Sequence, residues 1–429
     1  MKMKSMYPQL NDFCIAHQYE DNFLMSFGGE ITGDVDNMVV EVLQLCDGKH
    51  TVDEIFNTLC NKFDVLDCSK EMVYDMITNF ISSMVDDNQL KLTKNSVNNA
   101  RQVVKSGQMG KVFPYLAVME LTDLCNFDCA HCYKDACNKK TNHVPVEKIK
   151  NVLDKLRGRT PILNLSGGEP TIHPQINQII DCCNDFHTIV LSNGSKMENI
   201  DSNRFKNINC FQVSMYGGSA KTYEITTGKK INFDNFLNGL DIIKSRNKPA
   251  KIAIMLNKPI IKELDECLKI LVDKQIKEVA IGTSIVEGRR VGESNDSIWN
   301  LTDNDINEAD EAIERLKEKY INLIKFNNPN KLSAEVKWEK EPGNYELTCM
   351  GGRYVVTFSN RGIVKACNYL PDGSFDLGNY ENYLENVEIG YVVPLEDKMR
   401  QFELELAKTG RTLKDYQCKG MCGKMTVKK

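Results

Sequence analysis

Between Tyr115 and Gly282 short apolar runs alternate with stretches of helical period, and this alternation constrains the fold more than any other feature of the chain. The runs are Tyr115 to Thr122, Ile162 to Leu165, Thr188 to Leu191, Cys210 to Ser214, Lys251 to Met255 and Glu278 to Gly282. Amphipathic stretches lie between them, among them Val146 to Leu156, Gln175 to Cys183, Phe233 to Ser245 and Lys262 to Lys274. Strands that alternate with helices predict an α/β fold on a parallel sheet.

The first strand runs into Cys125-Asn126-Phe127-Asp128-Cys129-Ala130-His131-Cys132-Tyr133. Thiolates and iron–sulfur clusters are both soft, and a CxxxCxxC spacing wraps one loop around three corners of a cubane. One iron is then left to a ligand that is not protein. Structural zinc usually takes two CxxC-like pairs, and no second such pair follows closely. The second strand leads into Ser166-Gly167-Gly168-Glu169-Pro170. Glycines at a strand end allow backbone to approach a ligand closely.

These two segments, in this order and at strand ends, resemble the radical SAM superfamily, with Tyr133 as part of the resemblance. It implies a partial (β/α)6 TIM barrel whose functional loops sit at the C-terminal ends of the strands. It further implies a 4Fe-4S cluster on Cys125, Cys129 and Cys132, with S-adenosylmethionine (SAM) chelating the open iron. Gly167, Gly168 and Glu169 would hold the methionine amino group. Asn193 and Ser214, after the third strand and at the end of the fourth, look like SAM ribose and carboxylate contacts, although turn chemistry also explains such residues. Many relatives grip the carboxylate with an arginine after the fourth strand. Here that stretch reads Glu224-Ile225-Thr226-Thr227-Gly228-Lys229-Lys230, which leaves the role to Arg289 or a lysine.

At 429 residues the chain has room for two or three domains. Residues 9–95 contain strand-like runs at Phe13 to His17 and Phe23 to Phe27, three helical stretches and a last run at Leu90-Lys91-Leu92. Gly48 ends one helix, and Thr51 with Glu54 forms a capping box for the next. This region is similar to the winged-helix peptide chaperone of pyrroloquinoline quinone biosynthesis, the RiPP recognition element, where RiPP denotes a ribosomally made, later modified peptide. That resemblance implies a leader peptide added as a strand to a hairpin edge. Residues 96–112, rich in Asn, Lys, Ser and Gln, read as a linker, 113–300 as the barrel and 301–344 as a helical connector.

The 345–429 segment brings cysteine back at Cys349, Cys367, Cys418 and Cys422. Alternating apolar runs around Ser359-Asn360-Arg361-Gly362 signal a hairpin. Four thiolates fully ligate one auxiliary iron–sulfur cluster, 4Fe-4S or 2Fe-2S, and they also suit zinc. The pattern resembles the Twitch form of the SPASM extension, a small β-hairpin and helix domain. Of the nine other cysteines, Cys137 lies close enough to the cluster loop to act in catalysis, for instance as a hydrogen-atom donor. The rest read as buried thiols.

The formal net charge of −5 disfavours nucleic acid. No apolar run reaches membrane length and no signal peptide is legible, so a cytoplasmic protein is expected. Together the resemblances imply a peptide maturase, fed by a flavodoxin or ferredoxin type donor, that acts on a leader-bearing precursor. A cysteine thioether crosslink fits the auxiliary cluster best. Carbon–carbon or carbon–oxygen crosslinking, epimerisation, or modification of a protein in the manner of a sulfatase maturase are the alternatives.

Overall fold

A computed structural model describes residues 3–19, 21–284, 288–290, 296–327, 351–352, 354–368 and 376–389, with the single positions 294, 332, 404 and 408. The chain divides into two compact units, one running to Phe113 and the other beginning at Pro114.

The first unit holds strands β1 (Tyr7–Leu10), β2 (Cys14–Tyr19), β3 (Asn22–Phe27) and β4 (Glu30–Val35). Helices α1 (Asn37–Leu45), α2 (Val52–Lys62) and α3 (Lys70–Asp86) follow, and then β5 (Leu90–Thr93) and β6 (Val103–Gly107). The capping box of α2 forms as the sequence predicts, with Glu54 N donating to Thr51 Oγ1 at 3.2 Å and Thr51 N to Glu54 Oε2 at 2.7 Å. Val40, Leu43, Ile55, Leu59, Ile77 and Ile81 of the helices close a core over Ala16, Phe23 and Met25 of the sheet.

The stretch expected to be a linker is a strand over part of its length. β6 pairs parallel with β2, from Cys14 opposite Val103 to Gln18 opposite Gly107. Buried His17 explains the docking: Nδ1 lies 3.0 Å from the Ser106 hydroxyl and Nε2 lies 2.9 Å from the Phe113 carbonyl. The sheet order is β4-β3-β2-β6, so both flanks of β2 are taken and β4 is an outer strand.

In the second unit all six expected strands appear, as β7 (Leu116–Glu120), β8 (Ile162–Ser166), β9 (His187–Ser192), β10 (Cys210–Met215), β11 (Ala250–Leu256) and β12 (Glu278–Thr283). They lie side by side in chain order and every neighbouring pair is parallel. The winding is single, each crossover helix returning the chain to the next strand in one direction, the order that the expected barrel requires. Helix α4 (Val146–Leu156) buries Ile149, Val152, Leu153 and Leu156, and α5 (Ile176–Asp181), α6 (Ala220–Thr227), α7 (Ile231–Ser245), α8 (Lys258–Lys262) and α9 (Leu264–Asp273) follow in turn.

Beyond the barrel strands, helix α10 (Asp303–Lys319) leads to β13 (Lys325–Phe326), parallel to β12. The expected hairpin forms between β14 (Val355–Phe358) and β15 (Ile363–Lys365), with β16 (Asp376–Asn379) and α11 (Tyr380–Glu388) after it. It continues the barrel sheet: β14 pairs parallel with β7, from Val355 opposite Leu116 to Phe358 opposite Met119. Cys349, Cys418 and Cys422 lie outside the described residues, whereas Cys367 follows β15. No helix among the described residues is long and apolar enough to cross a membrane.

Candidate functional site

The loop from β7 to α4 carries Cys125, Cys129 and Cys132 over the C-terminal end of the parallel sheet. It is not a regular element, so its backbone groups need partners from elsewhere. The β8 exit supplies them: Thr122 O accepts from Gly168 N at 2.7 Å, and Leu124 O from Glu169 N at 2.8 Å. The approach is so close that a Cβ on Gly168 would lie 2.2 Å from Leu124 O. The sequence predicts that these glycines admit a ligand. In the structure they first admit the cluster loop's own backbone.

Glu169 is fully buried and its carboxylate is engaged inside the protein. Oε1 accepts from Thr171 N at 3.1 Å, Thr171 Oγ1 at 2.7 Å and Ser192 Oγ at 2.7 Å, and Oε2 accepts from Asn193 N at 2.7 Å. Burial pushes the carboxyl pKa up, against the effect of those donors. The side chain therefore ties the exits of β8 and β9 together.

The three thiols share one electrostatic neighbourhood. Burial, then Glu169 and Cys132, push Cys125 up to about 12; burial, then Cys125 and Cys132, push Cys129 well above its ordinary value. Peptide N–H groups are aimed at two of the sulfurs, Phe127 N at 3.5 Å from Cys125 Sγ and Ala136 N at 3.4 Å from Cys132 Sγ. Hydrogen bonds of this kind stabilise thiolates on a cluster. Among the described residues no three His, Cys, Asp or Glu side chains form a group that could hold a single metal ion.

The other expected site residues fall in different places. Asn193 belongs to the cluster loop's support: its Nδ2 donates to Asn126 Oδ1 at 3.0 Å and lies 3.9 Å from Cys125 Sγ. Ser214 stands near the end of β10, its side chain beside the Tyr216 phenol. The Tyr133 phenol accepts from Asn368 Nδ2 at 2.8 Å and so turns toward the segment after β15, with Cys367 among its electrostatic neighbours. Cys137 contributes its carbonyl, which accepts from Cys125 N at 3.1 Å, while its thiol is half-buried.

Several residues were not expected. His131 stacks on Trp299 with ring centroids 3.8 Å apart, and burial lowers its pKa to about 3. Glu120 closes β7 as a buried carboxylate, ion-paired to Lys134 and 3.6 Å from Lys365. A charge ending an otherwise apolar run was its sequence signal. Arg289, a candidate for the SAM carboxylate, instead donates to Cys129 O at 2.7 Å and to Ala136 O, and pairs with Asp135 at 3.0 Å.

Residues 119–271 match the model of the Radical SAM superfamily, so the chain contains a radical SAM domain. Among curated relatives, the antilisterial bacteriocin subtilosin biosynthesis protein AlbA of Bacillus subtilis is 27% identical over 46% of this chain and 46% of that protein. The AdoMet-dependent heme synthase of Methanosarcina barkeri is 25% identical over 64% of this chain and 83% of that protein. The mycofactocin maturase MftC of Mycolicibacterium smegmatis is 24% identical over 40% of this chain and 45% of that protein. The match thus spans under half the length of two of these three relatives. Streptococcus suis SuiB bound to S-adenosylmethionine shares the fold, with a TM-score of 0.59 at 13% identity over 96% of this chain and 95% of that one.

Proposed function

We propose that this radical SAM domain belongs to a peptide maturase that cleaves SAM reductively and removes a hydrogen atom from a ribosomally made precursor. The observation that carries the reading is the packing of the Gly167–Glu169 turn directly against the loop of Cys125, Cys129 and Cys132. In this proposal the three cysteines hold the cluster and the carbonyls of Gly167 and Gly168 accept from the methionine ammonium. When bound, cluster and SAM supply a 5′-deoxyadenosyl radical, for which no side chain can substitute.

A peptide substrate is supported by the relatives that make subtilosin and mycofactocin, and by a structure of SuiB bound to the precursor peptide SuiA. The first unit then acts as the leader-binding element. With β2 flanked by β3 and β6, the leader would add at β4, where main-chain hydrogen bonds give affinity. The second unit's hairpin, with Cys349, Cys367, Cys418 and Cys422, would hold an auxiliary cluster that takes up the electron left when a new bond closes. A cysteine thioether is the product this arrangement serves best.

The heme synthase likeness over most of that protein's length favours a second reading, chemistry on a porphyrin. One experiment separates them. The reconstituted, reduced protein is given SAM and either the precursor peptide or a porphyrin, and the products are weighed. A peptide lighter by two hydrogens, with 5′-deoxyadenosine formed and both lost in Cys125→Ala, is the expected result. Turnover of porphyrin with an untouched peptide would reverse the assignment.

A further inference from the structure

Beyond β12, residues 288–290 and Trp299 form a second set of contacts to the cluster loop. Gly288 has a φ of +59°, and a Cβ there would stand 2.4 Å from the carbonyls of both Cys132 and Tyr133. The turn's backbone is therefore seated on the third cysteine, and Arg289 N donates to Cys132 O at 3.1 Å. From this seat the Arg289 guanidinium spans the loop. Nη1 reaches Cys129 O at 2.7 Å and Asp128 Oδ1 at 2.8 Å, Nη2 reaches Ala136 O, and Nε reaches Asp135 Oδ1 at 3.0 Å. Trp299, on the same segment, stacks on His131. The base of the brace is itself fixed, because buried Arg290 holds Ser284 Oγ at 2.7 Å and also Asn300.

We infer that Arg289 is a positioning residue which, with Gly288 and Trp299, holds the cluster loop in its ligating shape before any iron is bound. Resting on the proposed cluster at Cys125, Cys129 and Cys132, the inference replaces a role for Arg289 at the SAM carboxylate. The planar fork is what the task requires. Two carbonyls seven residues apart in the chain and two carboxylates are met at once, which the single ammonium of a lysine cannot do. The arginine also sets a positive charge beside Cys129. Positive charge favours the more reduced cluster, so the brace raises the midpoint potential as well as shaping the loop.

The test uses the full-length chain with Arg289→Met and Arg289→Lys. Amide hydrogen exchange over residues 128–136 is measured in the apoprotein; iron content, midpoint potential and SAM affinity are measured after anaerobic reconstitution. In the apoprotein both variants should exchange at least about tenfold faster in that stretch. Arg289→Met should bind less iron, and its loaded fraction should be harder to reduce. Arg289→Lys, which keeps the charge, should stay near the parent potential. SAM affinity of the loaded fraction should stay within about threefold of the parent. Unchanged exchange and potential in Arg289→Met overturn the inference, as does a loss of SAM affinity with exchange unchanged. Should Arg289→Met lose its far-UV circular dichroism, exchange in Arg289→Lys decides. Failure of the cluster reading itself is distinguishable, because the parent protein and its Cys125→Ala variant would then take up the same amount of iron.

Discussion

Glu169 gathers four donors on one buried carboxylate, and the consequence is testable in a single atom. Glu169→Gln keeps the shape but places an N–H₂ group against groups that donate. Leaving such a donor unpaired in the interior costs about 1–3 kcal/mol. Urea unfolding of the second unit should register that loss, and an unchanged midpoint would mean the carboxylate is not the tie described. Gly168→Ala is the harsher change. Its Cβ would fall 2.2 Å from Leu124 O, so the turn and the cluster loop must separate. Iron uptake on reconstitution should fall sharply while the rest of the sheet remains folded. At this scale the sequence was informative where chemistry lies in local spacing. The cysteine run and Gly167-Gly168-Glu169 could be read directly, and the structure sets them against each other. Arg289 could not be assigned, because its partner Cys129 is 160 residues away and local spacing does not encode that pairing.

Among the elements, the six barrel strands were legible because each is an apolar run bounded by helix of a different period. β4 and β6 were not. Glu30-Ile31-Thr32-Gly33-Asp34-Val35 has too few apolar residues to stand out, and Val103 and Val104 sit in a polar context. Both become strands through tertiary pairing, which overrides weak local preference. The tie that holds β6 should make the first unit sensitive to acid. His17 is neutral in the fold, Nε2–H donating to the Phe113 carbonyl and Nδ1 accepting from Ser106, and burial lowers its pKa to about 4 from 6.5. The unfolded chain then binds the proton first. Stability is fully present above about pH 6.5 and is lost as pH falls toward 4, by about 2 kcal/mol between pH 7 and pH 5. Exchange of the β2 amides at the two pH values reads the effect, and His17→Gln should flatten it.

For the whole molecule, the division at Phe113 separates two tasks that the proposed function requires. Removing residues 1–113 should leave reductive SAM cleavage in place and abolish modification of the precursor. Precursor modification that survives the truncation would place leader recognition in the second unit. A cut at residue 95 would be a poorer experiment, since it strands β6 without β2. The hairpin at the other end of the chain is continuous with the sheet of the second unit through β14 and β7.

The brace on the cluster loop also has a temporal side. A ribosome makes Cys129 160 residues before it makes Arg289. At about 5–20 residues per second the thiols wait roughly 8–32 s for the guanidinium that shapes their loop. During that interval the cysteines are in the cell as ordinary reactive thiols on a nascent chain. Iron delivery to this protein is therefore best matched to chains extended past Arg289, and a pulse-chase should find nascent chains that stop short of that residue free of iron.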